Sequence, residues 1–168
     1  MYNLFQEKDG KEGYVSQSTG MAEALAEKTG LPLVHLDSLY WKDNWESVGR
    51  EVFDARLEQE LVKPKWILDG NMNRTLPHRL EYCDTVFYLD FSSISCLIGV
   101  ISRTIKFYGK TRPDMGPNCP ERISLGFYKE AFLYNKEMEC ILNKFFAEKL
   151  KKFKICIIIF HTILWDSD

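Results

Sequence analysis

Trp66-Ile-Leu-Asp-Gly-Asn-Met-Asn-Arg-Thr75 is the stretch on which the fold turns. A short apolar run ends on an acid, Asp69, which is followed at once by Gly70 and then by Arg74. An apolar run of this length bounded by turn residues predicts a buried strand. The same arrangement recurs on either side: Leu33 to Leu36 ends at Asp37, and Thr85 to Leu89 ends at Asp90. Helical patterns lie between. Met21 to Thr29 is rich in Ala, Glu and Leu and is stopped by Gly30 and Pro32. Arg50 to Val62 sets Phe53, Leu57 and Leu61 at i, i+4, i+8 before Lys63-Pro64 closes it. Strands alternating with helices predict an α/β layer fold with a largely parallel sheet.

In such a sheet the strand ends and helix N-termini converge on one edge, where ligands bind. Three strands each deliver an aspartate there. A carboxylate suits a bound cation and a guanidinium a bound anion: Mg²⁺ takes one or two carboxylates together with phosphates, and arginine grips phosphate oxygens in pairs. Taken alone, the Asp69 pattern equally describes a strand-to-helix turn with the acid as a cap.

Further along, Ile94, Leu97, Ile98, Ile101 and Ile105 follow helical spacing, with Ser92 or Ser93 as the N-cap. Then comes Gly109-Lys-Thr-Arg-Pro-Asp-Met-Gly-Pro-Asn-Cys-Pro-Glu-Arg122, long, rich in Gly and Pro and loaded with cations; a loop of this length in a compact domain is usually a functional lid or disordered. Phe127, Ala131, Tyr134, Met138, Ile141 and Phe145 step by 4, 3, 4, 3, 4, predicting a long amphipathic helix packed on the sheet, and Lys154 to Phe160 can supply a last strand. No internal repeat and no second-domain boundary is visible, so residues 1–168 read as one domain with its lid at about 109–122.

Composition bounds the rest. With 168 residues, 45% of them hydrophobic, and a net charge of −2, the chain can bury a core without metals or disulfides. The longest apolar stretch, Ile155 to Phe160 continued by Ile163 to Trp165, falls short of the ~20 residues of a membrane helix. No secretory leader pattern opens the sequence, so a cytoplasmic protein is expected. Five cysteines without Cys-x-x-Cys spacing suit reduced thiols, and three scattered histidines make no zinc cluster. Residues 1–60 carry 12 acids against 6 Lys and Arg, whereas residues 61–168 carry 12 against 16. The basic excess gathers at Arg103, Lys106, Lys110, Arg112 and Arg122, opposed by Asp114 and Glu121. That is a local phosphate-seeking patch, for which a solvated basic face is the plainer account of any single member. His35, alternating with Val34 and Leu36, reads as a packed histidine, and Cys119 has no evident His or Asp partner. Trp41 and Trp45, one helical turn apart, suit either base stacking or packing.

Taken together, LPLVHLDSLYW, WILDGNMNRTL, DTVFYLDF and GKTRPDMGPNCPER resemble the DNA topology modulation protein family, a branch of the adenylate-kinase-like P-loop NTPases. The resemblance runs from about Glu27 to about Phe146. It implies a three-layer P-loop NTPase fold with a mostly parallel five-stranded sheet and a lid loop, and a kinase-like activity that binds Mg²⁺ and ATP and passes a phosphoryl group to a small acceptor. It implies that Asp69 lies near Mg²⁺ with Ser18. Asp37, Trp41, Arg74 and Arg79 would bind the acceptor, and Arg103, Arg112 and Arg122 would clamp the transferring group as the lid closes. The family name also leaves open a non-catalytic protein associated with nucleotides or nucleic acid; the pI near 6.0 and the lack of a reader motif count against a DNA-binding module.

The N-terminal portion departs from that pattern. A phosphate loop reads G-x-x-x-x-G-K-[ST], its backbone N–H groups cradling the phosphates. Here Gly13-Tyr-Val-Ser-Gln-Ser-Thr-Gly20 stands in its place. Gly13, Gln17, Ser18 and Thr19 would contact ATP, with Gln17 at the lysine position. Gln brings no positive charge. MYNLFQEKDGKEG offers no apolar run for the strand that should precede the loop, so the sheet is expected to reach five parallel strands only if the N-terminus pairs.

Overall fold

A computed structural model describes residues 12–16, 19–133 and 154–159, with side chains for 19–87 and 91–133. It is an α/β structure: β1 (Glu12–Ser16), α1 (Thr19–Thr29), β2 (Leu33–His35), α2 (Leu36–Tyr40), α3 (Arg50–Leu61), β3 (Lys65–Asp69), α4 (Leu76–Tyr82), β4 (Thr85–Asp90), α5 (Ser93–Phe107), a helix α6 over residues 125–133, and β5 (Lys154–Ile159). The strands pair in the order β2-β3-β1-β4-β5, each pairing parallel. Parallel neighbours require crossovers, which the helices provide.

β3 shows why the layers form. Successive side chains of a strand face opposite sides. Trp66 and Leu68 enter one core with Phe53, Leu57 and Leu61 of α3 and with Leu76 and Leu80 of α4. Ile67 enters the other, with Ala22 and Leu25 of α1. Each fully buried side chain of this size contributes about 1.5–3 kcal/mol, and the i, i+4, i+8 stripe of α3 puts three of them on one line. The Trp66 indole N–H donates to the Leu61 carbonyl at 3.3 Å, so even its polar atom is used.

α4 begins where Pro77 occupies the first turn, a position that lacks a helical N–H partner in any case. The turn from β3 into α4 needs glycine: Gly70 has φ 132, and a Cβ there would meet Leu36 Cβ at 3.0 Å. Ser92 caps α5, its hydroxyl accepting from the Ser95 N–H at 3.2 Å.

The position left without a strand in the sequence reading is filled by Glu-Gly-Tyr-Val-Ser of β1, set between β3 and β4. Five residues borne by two neighbours do not need the long apolar run that was sought. The predicted helix beyond residue 133 falls outside the described residues. Among the described residues no helix is long and apolar enough to cross a membrane.

Candidate functional site

The carboxyl ends of the strands all lie on one edge of the sheet, and there the register aligns Ser16 of β1, Asp69 of β3 and His35 of β2. β2 and β3 lie to one side of β1 and β4 to the other, so the connections change direction at the C-terminal end of β1, the place where open α/β sheets form a crevice. α1 starts at this edge, and its first residue is Thr19.

Asp69 is 4% exposed. One of its oxygens, Oδ2, accepts from the Thr19 hydroxyl at 2.9 Å and meets His35 Nδ1 at 3.0 Å. The other, Oδ1, is buried and has no hydrogen-bond partner among the described residues. Leaving a buried carboxylate oxygen unsatisfied costs about 1–3 kcal/mol or more, which makes the atom a candidate ligand position. The bond to Asp69 raises the pKa of His35 above its ordinary value, against the opposing effect of burial. Asp37, in the first turn of α2, has its pKa raised by burial, with Arg112 pulling it down and Asp114 and Asp69 pushing it up. The site is thus a field of three carboxylates, Asp37, Asp69 and Asp114, answered by Arg112 and Arg103.

Among the described residues no group of three or more His, Cys, Asp or Glu side chains could hold a metal ion unaided. Asp69 and Thr19 offer one carboxylate and one hydroxyl. Mg²⁺ commonly keeps several waters and takes just one or two protein carboxylates plus phosphates, so this donor set fits that ion and does not fit a zinc-type cage.

The 109–122 loop is folded against the Trp41–Trp45 segment. Trp45 Nε1 donates to the Pro120 carbonyl at 3.1 Å, the Asn44 N–H to the Asn118 carbonyl at 3.1 Å, and the Cys119 thiol to the Lys42 carbonyl at 3.0 Å. Gly116 lies so close to Trp41 that a Cβ there would stand 2.1 Å from its carbonyl oxygen. Asn44 and Trp45 adopt positive φ values of 58 and 63, a strained backbone for a bulky residue such as Trp. Trp41 and Trp45 meet edge-on at 5.5 Å, but not through helical spacing: Trp41 follows α2 and Trp45 ends a separate 3₁₀ turn, Asp43–Trp45. A cavity of about 290 Å³ opens beside them, lined by Trp45, Tyr108, Pro120, Glu121 and Arg122 among others.

Arg103, Arg112 and Arg122 are each engaged within the chain. Glu121, 6% exposed, meets Arg103 Nη2 at 3.4 Å and Arg112 Nε at 3.2 Å, and Arg112 Nη2 also meets Asp114 at 3.3 Å. Arg103 stacks on Phe127 at 5.2 Å and Arg122 on Trp45 at 5.1 Å. Arg103 and Lys106 do not share a role: the first turns inward to Glu121, the second stays exposed.

The remaining expected site residues are placed as follows. Arg74 bonds exposed Asp54 on α3 at 3.0 Å and lowers its pKa. Arg79 is 1% exposed and donates to the carbonyls of Gly70 and Met72 at 3.2 and 3.1 Å, so it braces the turn below Asp69 rather than opening to a ligand. Gly13 lies inside β1, opposite Trp66, rather than in the turn that follows the strand. Gln17 and Ser18 lie outside the described residues, as does the side chain of Asp90.

Sequence reasoning set His35 aside as a packed histidine, whereas it stands against Asp69. It also passed over Glu121 as an organiser. The signal for Glu121 was present: a lone pair of acids, Asp114 and Glu121, inside a cationic loop.

A scan against protein-family models finds no match, and a search of curated proteins finds none.

Proposed function

We propose that this chain is a nucleotide-kinase-like P-loop NTPase of three-layer, adenylate-kinase-like type, which binds Mg-ATP and transfers a phosphoryl group to a small acceptor. The observation that carries the reading is the contact of Thr19 with Asp69, with a buried Asp69 oxygen that has no partner among the described residues. A hydroxyl at the first turn of the helix after a central strand, facing a carboxylate at the end of the next strand, is how such enzymes hold their metal between protein and phosphates. When bound, the ion would supply positive charge to the phosphate oxygens.

The chain's own groups then have definable tasks. Asp69 and Thr19 hold the cation side, and His35 fixes the orientation of Asp69. The N-terminus of α1 offers backbone N–H groups and its dipole to an anion. Arg103 and Arg112 reach a phosphoryl group by exchanging Glu121 and Asp114 for its oxygens, which makes lid closure and charge exchange one event. Asp37 and Trp41 lie between that lid and the strand edge and suit an acceptor. Gln17 in place of lysine weakens the grip on ATP. The rival reading, a non-catalytic nucleotide- or nucleic-acid-associated protein, is less well supported, because Arg103 and Arg112 are neutralised by carboxylates and do not form an open cationic strip.

Calorimetric titration with ATP tests this. The expected outcome is weak binding that requires Mg²⁺, tightened about 10–100-fold by Gln17→Lys, since one charge-assisted contact is worth roughly 1.5–3 kcal/mol. Asp69→Asn should abolish the Mg²⁺ requirement together with most of the binding. If neither the native chain nor Gln17→Lys takes up ATP, the proposal fails.

A further inference from the structure

α5 carries an apolar seam that no described residue covers. Ile94, Ile98, Ile101, Ile105 and Tyr108 follow one another at steps of 4, 3, 4 and 3, the spacing of positions that pack one helix against another. All five are exposed, from 38% at Ile101 to 75% at Ile105. The buried side of the helix is formed elsewhere, around Thr104. Gly99 and Ser102, also exposed, flank the seam and let another backbone come close.

We propose that this seam is the contact surface of a homodimer in which α5 packs antiparallel against α5 of a second copy. The seam is complementary to itself under a two-fold axis near Ile101: Ile98 of one copy then faces Ile105 of the other, and Ile94 faces Tyr108, so every apolar residue finds an apolar partner. The five residues expose on the order of 600 Å² per copy, so a pair that covered them entirely would bury up to about 1,200 Å² in total, the size at which stable interfaces begin. An exposed continuous apolar face of this extent on a water-soluble surface marks an interaction site. A charged protein partner is not called for, because Lys106 is the one charged residue exposed on this helix. A bilayer surface fits less well: interfacial helices present several cations on the polar face, and here Arg103 is drawn inward to Glu121. Tyr108 joins the seam to the lid through its bridge with Glu121, so pairing would also fix one wall of the cavity beside Trp45.

Sedimentation velocity over a concentration series decides the matter. The native chain is expected to sediment as a dimer. Ile101→Glu, which sets two like charges together at the axis, should weaken the dimer at least about a hundredfold with an unchanged circular dichroism spectrum. Ile101→Cys reads the same contact in the opposite sense and should give a disulfide-linked dimer under mild oxidation, above the background set by the native cysteines. A native chain that stays monomeric, a Glu variant that stays dimeric, or a monomer that co-sediments with phosphatidylcholine or phosphatidylserine vesicles overturns the proposal. Should Ile101→Glu fail to fold, absence of the Ile101→Cys cross-link overturns it instead.

Discussion

Asp69 at the strand edge and Glu121 in the lid are carboxylates buried to nearly the same degree, 4% and 6% exposed, yet their surroundings differ. Asp69 has both of its contacts on one oxygen, from a hydroxyl and a histidine, and its second oxygen faces no hydrogen-bond donor among the described residues. Glu121 has an arginine on each oxygen. A buried charge with a partner on each oxygen is tied into the fold, while one with a partner on a single oxygen keeps a position at which a ligand could be accepted. The two regions thus differ in how their charge is met: the strand-edge acid is paired on one oxygen, and the acid of the 109–122 loop is paired on both.

Stability measurements can break that comparison. Glu121→Ala leaves half-buried Arg103 and Arg112 without their shared partner, Arg112 keeping Asp114, and should cost about 2–3 kcal/mol in chemical denaturation. Asp69→Asn keeps an acceptor for Thr19 and His35 and relieves an unanswered charge, so it should cost about 1 kcal/mol or less. Equal costs would mean that the two carboxylates are both structural. Gly116→Ala tests the latch by steric means. A methyl group 2.1 Å from the Trp41 carbonyl oxygen cannot be accommodated without lifting the loop. The expected cost is about 1–3 kcal/mol, with faster proteolysis within residues 109–122; a loop as resistant as the native one would show that it is not held at this point.

The smallest effect belongs to His35 and appears in the pH dependence. Its folded pKa lies above the ordinary 6.5, so the protonated imidazole stabilises the fold in full below that value, and the contribution fades as pH rises through the folded pKa. The melting temperature of the native chain should therefore exceed that of His35→Gln by more at pH 5.5 than at pH 8.5. A difference that is constant or grows with pH would separate His35 from Asp69.

Much of the fold is legible from residues 30 to 107. β2, β3 and β4 are short apolar runs between turn residues, and α3 announces itself through Phe53, Leu57 and Leu61, all buried on one face. α2 is too short for a period to show, and α4 hides behind Pro77, which reads as a breaker in sequence but starts a helix in space. β1 was missed because Glu-Gly-Tyr-Val-Ser does not look like a strand until two neighbours carry it. Asp69 is legible as an acid closing a strand. His35 is not, because its meeting with Asp69 depends on β2 and β3 being adjacent and in register, which pairing alone decides. Arg103 and Arg112 are visible as charges, whereas their shared pairing with Glu121 is a tertiary fact.

Thr19 and Asp69 lie 50 positions apart, and the lid reaches Trp45 across 75. Contacts of such separation are entropically expensive to close and form late in folding, after local helices and turns are in place. Until those separations are closed the chain has neither the Thr19–Asp69 contact nor the Trp45–Pro120 contact. Ligand affinity would therefore appear only with the last steps of chain closure, and a binding assay followed through refolding would report completion of the fold rather than growth of its helices.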